Sequence, residues 1–276
     1  MAAVRLHPLL CGTARWPEAW PHRVEGRGAG LKAIGIGSDT IELPLVAFLV
    51  EHPEQGPMLI DTGLDPVITE GAHKSMGRVL GTVAARSFRT KPEWAVTEQA
   101  RARGVDPDDI ETVLMTHLHF DHASGMPLLP KPTFLVSREE WHAAHTRGAI
   151  FQAYVGGHFP EESRVRKIEF GGPHGSFSRS ADLFGDGSVI ALFTPGHTPG
   201  HVSYLLQTGS GEVLVAGDAV YTRHTLETGH LPAIMANGEK FKRSLAEIRE
   251  YAKEHPGTLV IPGHDFDDWR TLEQRY

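Results

Sequence analysis

The chain has 276 residues, enough for one large α/β domain or two small ones, and a formal net charge of −7. No Lys/Arg block stands out, which argues against nucleic acid as the main partner and weighs against a strongly anionic substrate. The single cysteine, Cys11, excludes an intrachain disulfide and a thiolate metal cluster, and no apolar run reaches the ~18 residues of a membrane span. Arg5 and His7 interrupt the short apolar start, and Trp, Pro and Glu follow soon after. That is not the pattern of a secretory signal, and the expected location is cytoplasmic.

Residues 4–11 read as a first strand. Residues 12–30, rich in Pro, Gly, Trp and Arg, read as an irregular loop that covers something. Gly26-x-Gly28-x-Gly30 lies within it, but the spacing is wrong for a dinucleotide fingerprint and no βαβ context surrounds it. Residues 41–51 and 58–61 form two strands joined by a Pro/Gly turn. The second ends at Asp61, where a carboxylate is placed to accept a hydrogen bond from a metal-ligating histidine and fix its tautomer. Residues 65–90 show no clean period and read as a short helix plus a loop near the site entrance, with Met76, Val79, Leu80, Val83 and Phe88 as scattered apolar positions. Residues 92–103 read as a helix that buries Trp94 and ends at Gly104.

The apolar run Val113-Leu114-Met115 then opens onto Thr116-His117-Leu118-His119-Phe120-Asp121-His122. A buried strand ending in a tight loop, with a helix starting near Asp121, lets His117 and His119 converge on one metal ion. Asp121 and His122 turn toward a second. Residues 133–136 are a further strand, and Ser137-Arg138-Glu139-Glu140 forms a capping box in which Glu140 reaches back to the helix start. The apolar stretch 151–159 is a candidate pocket wall, and residues 171–187 read as a long Gly/Ser loop with a hairpin signal at Asp186-Gly187.

Three more apolar runs each deliver a Gly and then a His or an Asp: residues 189–193 lead to His197, 213–216 to Asp218, and 259–261 to His264. Gly beside a ligand lets the backbone turn sharply and approach closely. His201 reads as a supporting residue rather than a further ligand. Residues 239–255 are the clearest helix, with Phe241, Leu245, Ile248 and Ala252 on one stripe.

His117-x-His119-x-Asp121-His122, followed by His197, Asp218 and His264, resembles the metallo-β-lactamase fold superfamily from about residue 6 to 264. The resemblance implies a single domain over residues 1–276, an αββα sandwich of two mixed β-sheets flanked by helices. It implies two divalent metal ions, zinc first and Co2+, Mn2+ or Fe2+ as alternatives, with Asp218 bridging them. Two such ions about 3.5–4 Å apart lower the pKa of a shared water toward ~7, so the reaction class is hydrolysis of an ester, lactone, lactam, thioester or phosphodiester.

Within that superfamily, the common class B β-lactamases carry Cys where Asp218 stands and lack the first Asp of the motif. Glyoxalase II-like thioesterases share the seven ligands but usually carry a C-terminal helical region, for which the residues after His264 leave little length. The tRNA-processing nucleases want a basic surface, and the flavo-diiron reductases a flavin domain. Tyr221, three residues after Asp218, together with Leu9-Leu10-Cys11-Gly12-Thr13, is similar to the N-acyl homoserine lactonases. That likeness implies quorum-quenching lactone opening: hydroxide attacks the carbonyl, Tyr221 hydrogen-bonds the oxyanion, and Asp121 protonates the leaving alkoxide. The alternatives are another hydrolase of this fold, such as a glyoxalase II-like thioesterase, or a non-catalytic metal-binding protein. The expected partner is a small-molecule lactone, with no nucleic acid, no membrane, and a homodimer permitted.

Overall fold

The computed structural model describes residues 3–33, 35–68, 81–82 and 86–276. The expected positions Met76, Val79, Leu80 and Val83 lie outside the described residues. Strands β1 (Arg5–Pro17), β2 (Thr40–His52), β3 (Gly56–Ile60), β4 (Phe88–Arg89), β5 (Thr112–Leu114), β6 (Thr133–Ser137) and β7 (Val165–Ile168) build one sheet, ordered β4-β1-β2-β3-β5-β6-β7. Strands β8 (Ser180–Asp182), β9 (Val189–Phe193), β10 (Val202–Thr208), β11 (Gly211–Gly217) and β12 (Leu259–Pro262) build the other, ordered β12-β11-β10-β9-β8. Both are mixed: β3, β5, β6 and β7 run parallel, as do β11 and β12, and the other pairs are antiparallel.

The side-chain alternation of a strand sorts the core into layers. Val46, Phe48 and Val50 of β2 point between the sheets, where they meet Val189, Tyr204, Val213 and Ile261. Ala47 and Leu49 point outward and pack with Val96, Ala100 and Trp141 of helices α2 (Val96–Ala102) and α4 (Arg138–Ala144). On the far side, Phe241, Leu245, Ile248 and Tyr251 of α6 (Gly238–Glu254) cover the second sheet. Each fully buried apolar side chain of this kind is worth about 1.5–3 kcal/mol. The order helix, sheet, sheet, helix is the expected sandwich. No helix among the described residues is long and apolar enough to cross a membrane.

Several local expectations are corrected. Residues 12–17 are strand, not loop: β1 continues past a bulge at Leu10/Gly12 and pairs with β2 as far as Pro17↔Thr40. The loop proper begins after Pro17 and holds the short helix α1 (Ala29–Ala33). The helix expected over 92–103 is a 3-10 turn at Pro92–Trp94 followed by α2, so Val96 and Ala100 face the core and Trp94 is only half-buried. The 171–187 loop contains β8, and Phe177 within it is fully buried. In α6 the buried stripe closes on Tyr251 rather than Ala252.

Topology places the site. β3, β5, β9, β11 and β12 all end on one edge of the sandwich, because β9 and β12 share the direction of β11 across an antiparallel β10. Every segment that the sequence marks for metal chemistry follows one of those five strand ends.

Candidate metal centre

The loop after β5 carries His117 and His119 and passes directly into α3 (Phe120–Ala123), which carries Asp121 and His122. His197 follows β9, Asp218 follows β11 and His264 follows β12. These seven side chains meet. His117, His119 and His197 form one group whose ligand-capable atoms lie within 4.8 Å of each other, and Asp121, His122 and His264 form a second under the same limit. Asp218 stands between them. Its Oδ2 lies 3.2 Å from His197 Nε2. Its Oδ1 lies 3.4 Å from His122 Nε2 and 3.2 Å from His264 Nε2.

The backbone around Asp218 allows this approach only with glycine. Gly217 has φ +54°, and a Cβ there would sit 2.9 Å from His201 Nε2. A Cβ on Gly263 would sit 2.6 Å from Asp218 Oδ1.

The remaining ring nitrogens are held by the chain, which fixes how each histidine points. Asp61, at φ +57° after β3, takes Thr116 N at 2.8 Å, Thr116 Oγ1 at 2.7 Å and His122 Nδ1 at 2.9 Å. Thr116 Oγ1 spends its proton on Asp61, so it accepts from His117 Nδ1 at 3.0 Å. His264 Nδ1 donates to the Pro44 carbonyl at 2.9 Å. His117, His122 and His264 therefore carry their proton on Nδ1 and turn Nε2 inward. His201 is occupied at both nitrogens, by Thr194 Oγ1 at 2.9 Å and by the Asp218 amide at 3.1 Å. It holds Asp218 in place and has no nitrogen left for an ion.

These residues fit divalent metal binding. His117 Nε2, His122 Nε2 and Asp218 Oδ1 are buried without a hydrogen-bond partner, and an orphaned buried polar atom costs about 1–3 kcal/mol. His197 Nε2 and His119 Nδ1 face each other at 3.0 Å, a contact that a shared cation relieves. Burial, reinforced by neighbouring rings, drives His117 and His197 well below the usual imidazole range, and burial takes His119 down to about 3. Neutral imidazole is the ligand form. Burial also opposes protonation of His122 and His264, but there the carboxylates of Asp218 and Asp121 outweigh it and raise both. Burial works against ionisation of Asp218 too, yet His264, His197 and His122 hold it well below the usual carboxylate range.

Tyr221 is buried beside the cluster, its hydroxyl 3.4 Å from His197 Nδ1. Burial and the nearby Asp218 and Asp121 charges push its phenol well above 10, so it stays a proton donor. A cavity of about 630 Å³ opens over Asp121, His197, Asp218 and Tyr221. Segments 12–30, 65–90 and 151–159 all contribute to it, through Trp16 and Trp20, Phe88, and Phe151 with Val155. Phe120, from within the metal motif, also lines it, as do Ile234 and Met235, which no sequence pattern marks.

Glu140 departs from its expected role. Ser137 does cap α4, accepting from Glu140 N at 3.1 Å. The Glu140 side chain does not reach back to the helix start. Fully buried, it accepts from Leu118 N at 2.9 Å and Gly200 N at 3.1 Å. It ties the loop of His117 and His119 to the loop of His197. Gly200 packs so tightly there that a Cβ would lie 2.1 Å from Glu140 N.

Comparison with known proteins gives a consistent set. The profile of the metallo-beta-lactamase superfamily matches residues 41–264. The chain is 30% identical over 275 residues to the N-acyl homoserine lactonase AttM of Agrobacterium fabrum, covering 99% of this chain and 98% of that one. It is 30% identical over 234 residues to the N-acyl homoserine lactonase AiiA of Bacillus thuringiensis subsp. kurstaki, covering 82% and 83%. Its fold is similar, at a TM-score of 0.77 and 24% identity over 99% of this chain and 98% of the other, to an N-acyl homoserine lactone hydrolase solved with N-hexanoyl-L-homoserine at its catalytic metal centre.

Proposed function

The chain belongs to the metallo-beta-lactamase superfamily, and from that membership we propose that it hydrolyses the lactone ring of N-acyl homoserine lactones. The observation that carries this reading is the union of an apolar cavity of about 630 Å³ with the seven-residue cluster and a protonated phenol at its floor. An acyl tail and a compact polar ring ask for those two environments side by side. The names of AttM and AiiA support the same substrate class.

In this reading His117, His119 and His197 would hold one divalent ion and Asp121, His122 and His264 another, with the Asp218 carboxylate available between the two groups. Five imidazoles and two carboxylates suit zinc, and also cobalt, manganese or iron(II). When bound, the ions supply a hydroxide at neutral pH and Lewis acidity at the carbonyl. The chain supplies the rest. Trp20, Phe151, Ile234 and Met235 take the acyl tail and exclude water. Tyr221 directs its O–H at the lactone carbonyl, where negative charge develops. Asp121 would take the proton that the attacking water gives up and pass it to the leaving alkoxide.

The test is acid release by the metal-reconstituted protein on short- and long-chain acyl homoserine lactones, a plain γ-lactone, a glutathione thioester and a cephalosporin. Preferential opening of the acyl homoserine lactones is expected. Turnover of the thioester or the cephalosporin alone would keep the metal centre and discard the lactonase assignment.

A further inference from the structure

Behind the Trp20 side of the cavity lies a second group of histidines that none of this chemistry uses. His22 follows β1, His224 lies in the first turn of α5 (Arg223–Thr228), and His230 follows the end of that helix. Ring centroids are 5.2 Å apart for His22 and His224, 5.4 Å for His224 and His230, and 6.2 Å for His22 and His230. Three imidazoles aimed at one tetrahedral zinc, with Zn–N about 2.0–2.1 Å, keep their ring centres roughly 5 Å apart. The rings of His117, His119 and His197 stand 4.7, 4.7 and 4.8 Å apart. The outlying triad is wider and its nitrogens do not converge within the 4.8 Å that the cluster groups meet; closing it takes rotation of the His22 and His230 rings, the pair 6.2 Å apart, toward the exposed His224.

The nitrogens are available. His22 Nδ1 is buried without a hydrogen-bond partner. His230 spends Nε2 on the Arg23 carbonyl at 3.0 Å, so its Nδ1 carries the lone pair. Burial and the two neighbouring rings lower the pKa of His22, which keeps it neutral, while Glu18 and Asp265 act on it in the direction that favours a cation. We propose that His22, His224 and His230 form a third metal site, for a divalent transition ion such as zinc, outside the dinuclear cluster.

The segments it would join are walls of the cavity. Ala233 N donates to Trp20 O at 2.7 Å and Arg23 N to Leu231 O at 3.1 Å. Trp20, Ile234 and Met235 all face the cavity. An ion on the triad staples the turn around Trp20 to the segment that carries Ile234 and Met235, and so fixes the distance between two walls.

Zinc titration of the protein already loaded at its cluster tests this, read by bound metal per chain and by thermal unfolding. One further equivalent at micromolar zinc, with a rise in Tm, is expected for the wild type. Alanine at the exposed position, His224→Ala, leaves the fold intact and lowers affinity for that equivalent at least about tenfold. His230→Gln keeps a donor for the Arg23 carbonyl and is expected to do the same. Absence of the extra equivalent in the wild type, or its unchanged affinity in both variants, overturns the proposal. Neither readout depends on which ester the cluster hydrolyses.

Discussion

The rim of the metal cluster and the walls of the cavity above it are built by opposite means. On the rim, Asp61, Thr116, Pro44 and His201 fix the orientation of the inward-facing side chains through hydrogen bonds of 2.7–3.1 Å. At the mouth the walls are side chains with little to hold them: Phe151 is 86% exposed and Ile234 41%. Polar chemistry needs atoms placed to a fraction of an ångström, whereas a tail-binding surface needs only area. Substitutions on the rim should therefore cost orders of magnitude and substitutions on the walls small factors.

Asp218→Asn should do the most damage. An amide presents one acceptor oxygen where the carboxylate presents two, and the two histidine groups then have no common anion. The variant is expected to lose at least one of the two ions and more than about 100-fold in kcat/KM, since even supporting residues cost 10–100-fold. A variant that retains both ions by elemental analysis would refute the bridging role. Tyr221→Phe removes only a donor. A fall of about 100-fold in kcat with unchanged metal content is expected, and unchanged kinetics would take Tyr221 out of the reaction.

Asp61→Asn removes a charge without disturbing the backbone, because Asn tolerates the left-handed conformation at that position. His122 and Thr116 lose their shared acceptor, and metal affinity in a chelator competition should fall about 10–100-fold. Glu140→Gln probes the other half of the rim. Its amide cannot accept from both Leu118 N and Gly200 N, so the loops of His117, His119 and His197 loosen. An affinity loss of about tenfold is expected, confined to one of the two ions, and equal weakening of both would mean that Glu140 acts on stability alone.

That same contrast governs what the sequence makes legible. The seven cluster residues are metal-capable types at strand ends, and strand direction brings those ends to one edge, so pattern and topology coincide. Asp61 is readable for the same reason. Glu140 is not, because Ser137-x-x-Glu140 already has a local explanation in helix capping, and only the tertiary structure shows the carboxylate bound elsewhere. The far half of β1 is hidden by Gly12 and Pro17, residues that punctuate isolated chains but here pair along β2. Ile234 and Met235 sit in a stretch with no periodicity, and nothing in their own neighbourhood says that a cavity lies beside them.

Phe151→Ala probes the walls and the smallest effect. The ring stands at the cavity mouth, largely in water, so its removal leaves no internal void and should change stability by less than about 0.5 kcal/mol. What it loses is contact with the far end of a long acyl chain, worth about 0.8 kcal/mol per methylene covered. The ratio of kcat/KM for long-chain to short-chain acyl homoserine lactones is expected to fall about three- to fivefold, carried by KM. An equal loss on both chain lengths would place Phe151 over the lactone ring instead. The side of the cavity formed by Trp20, Ile234 and Met235 would then be the one that reads the tail.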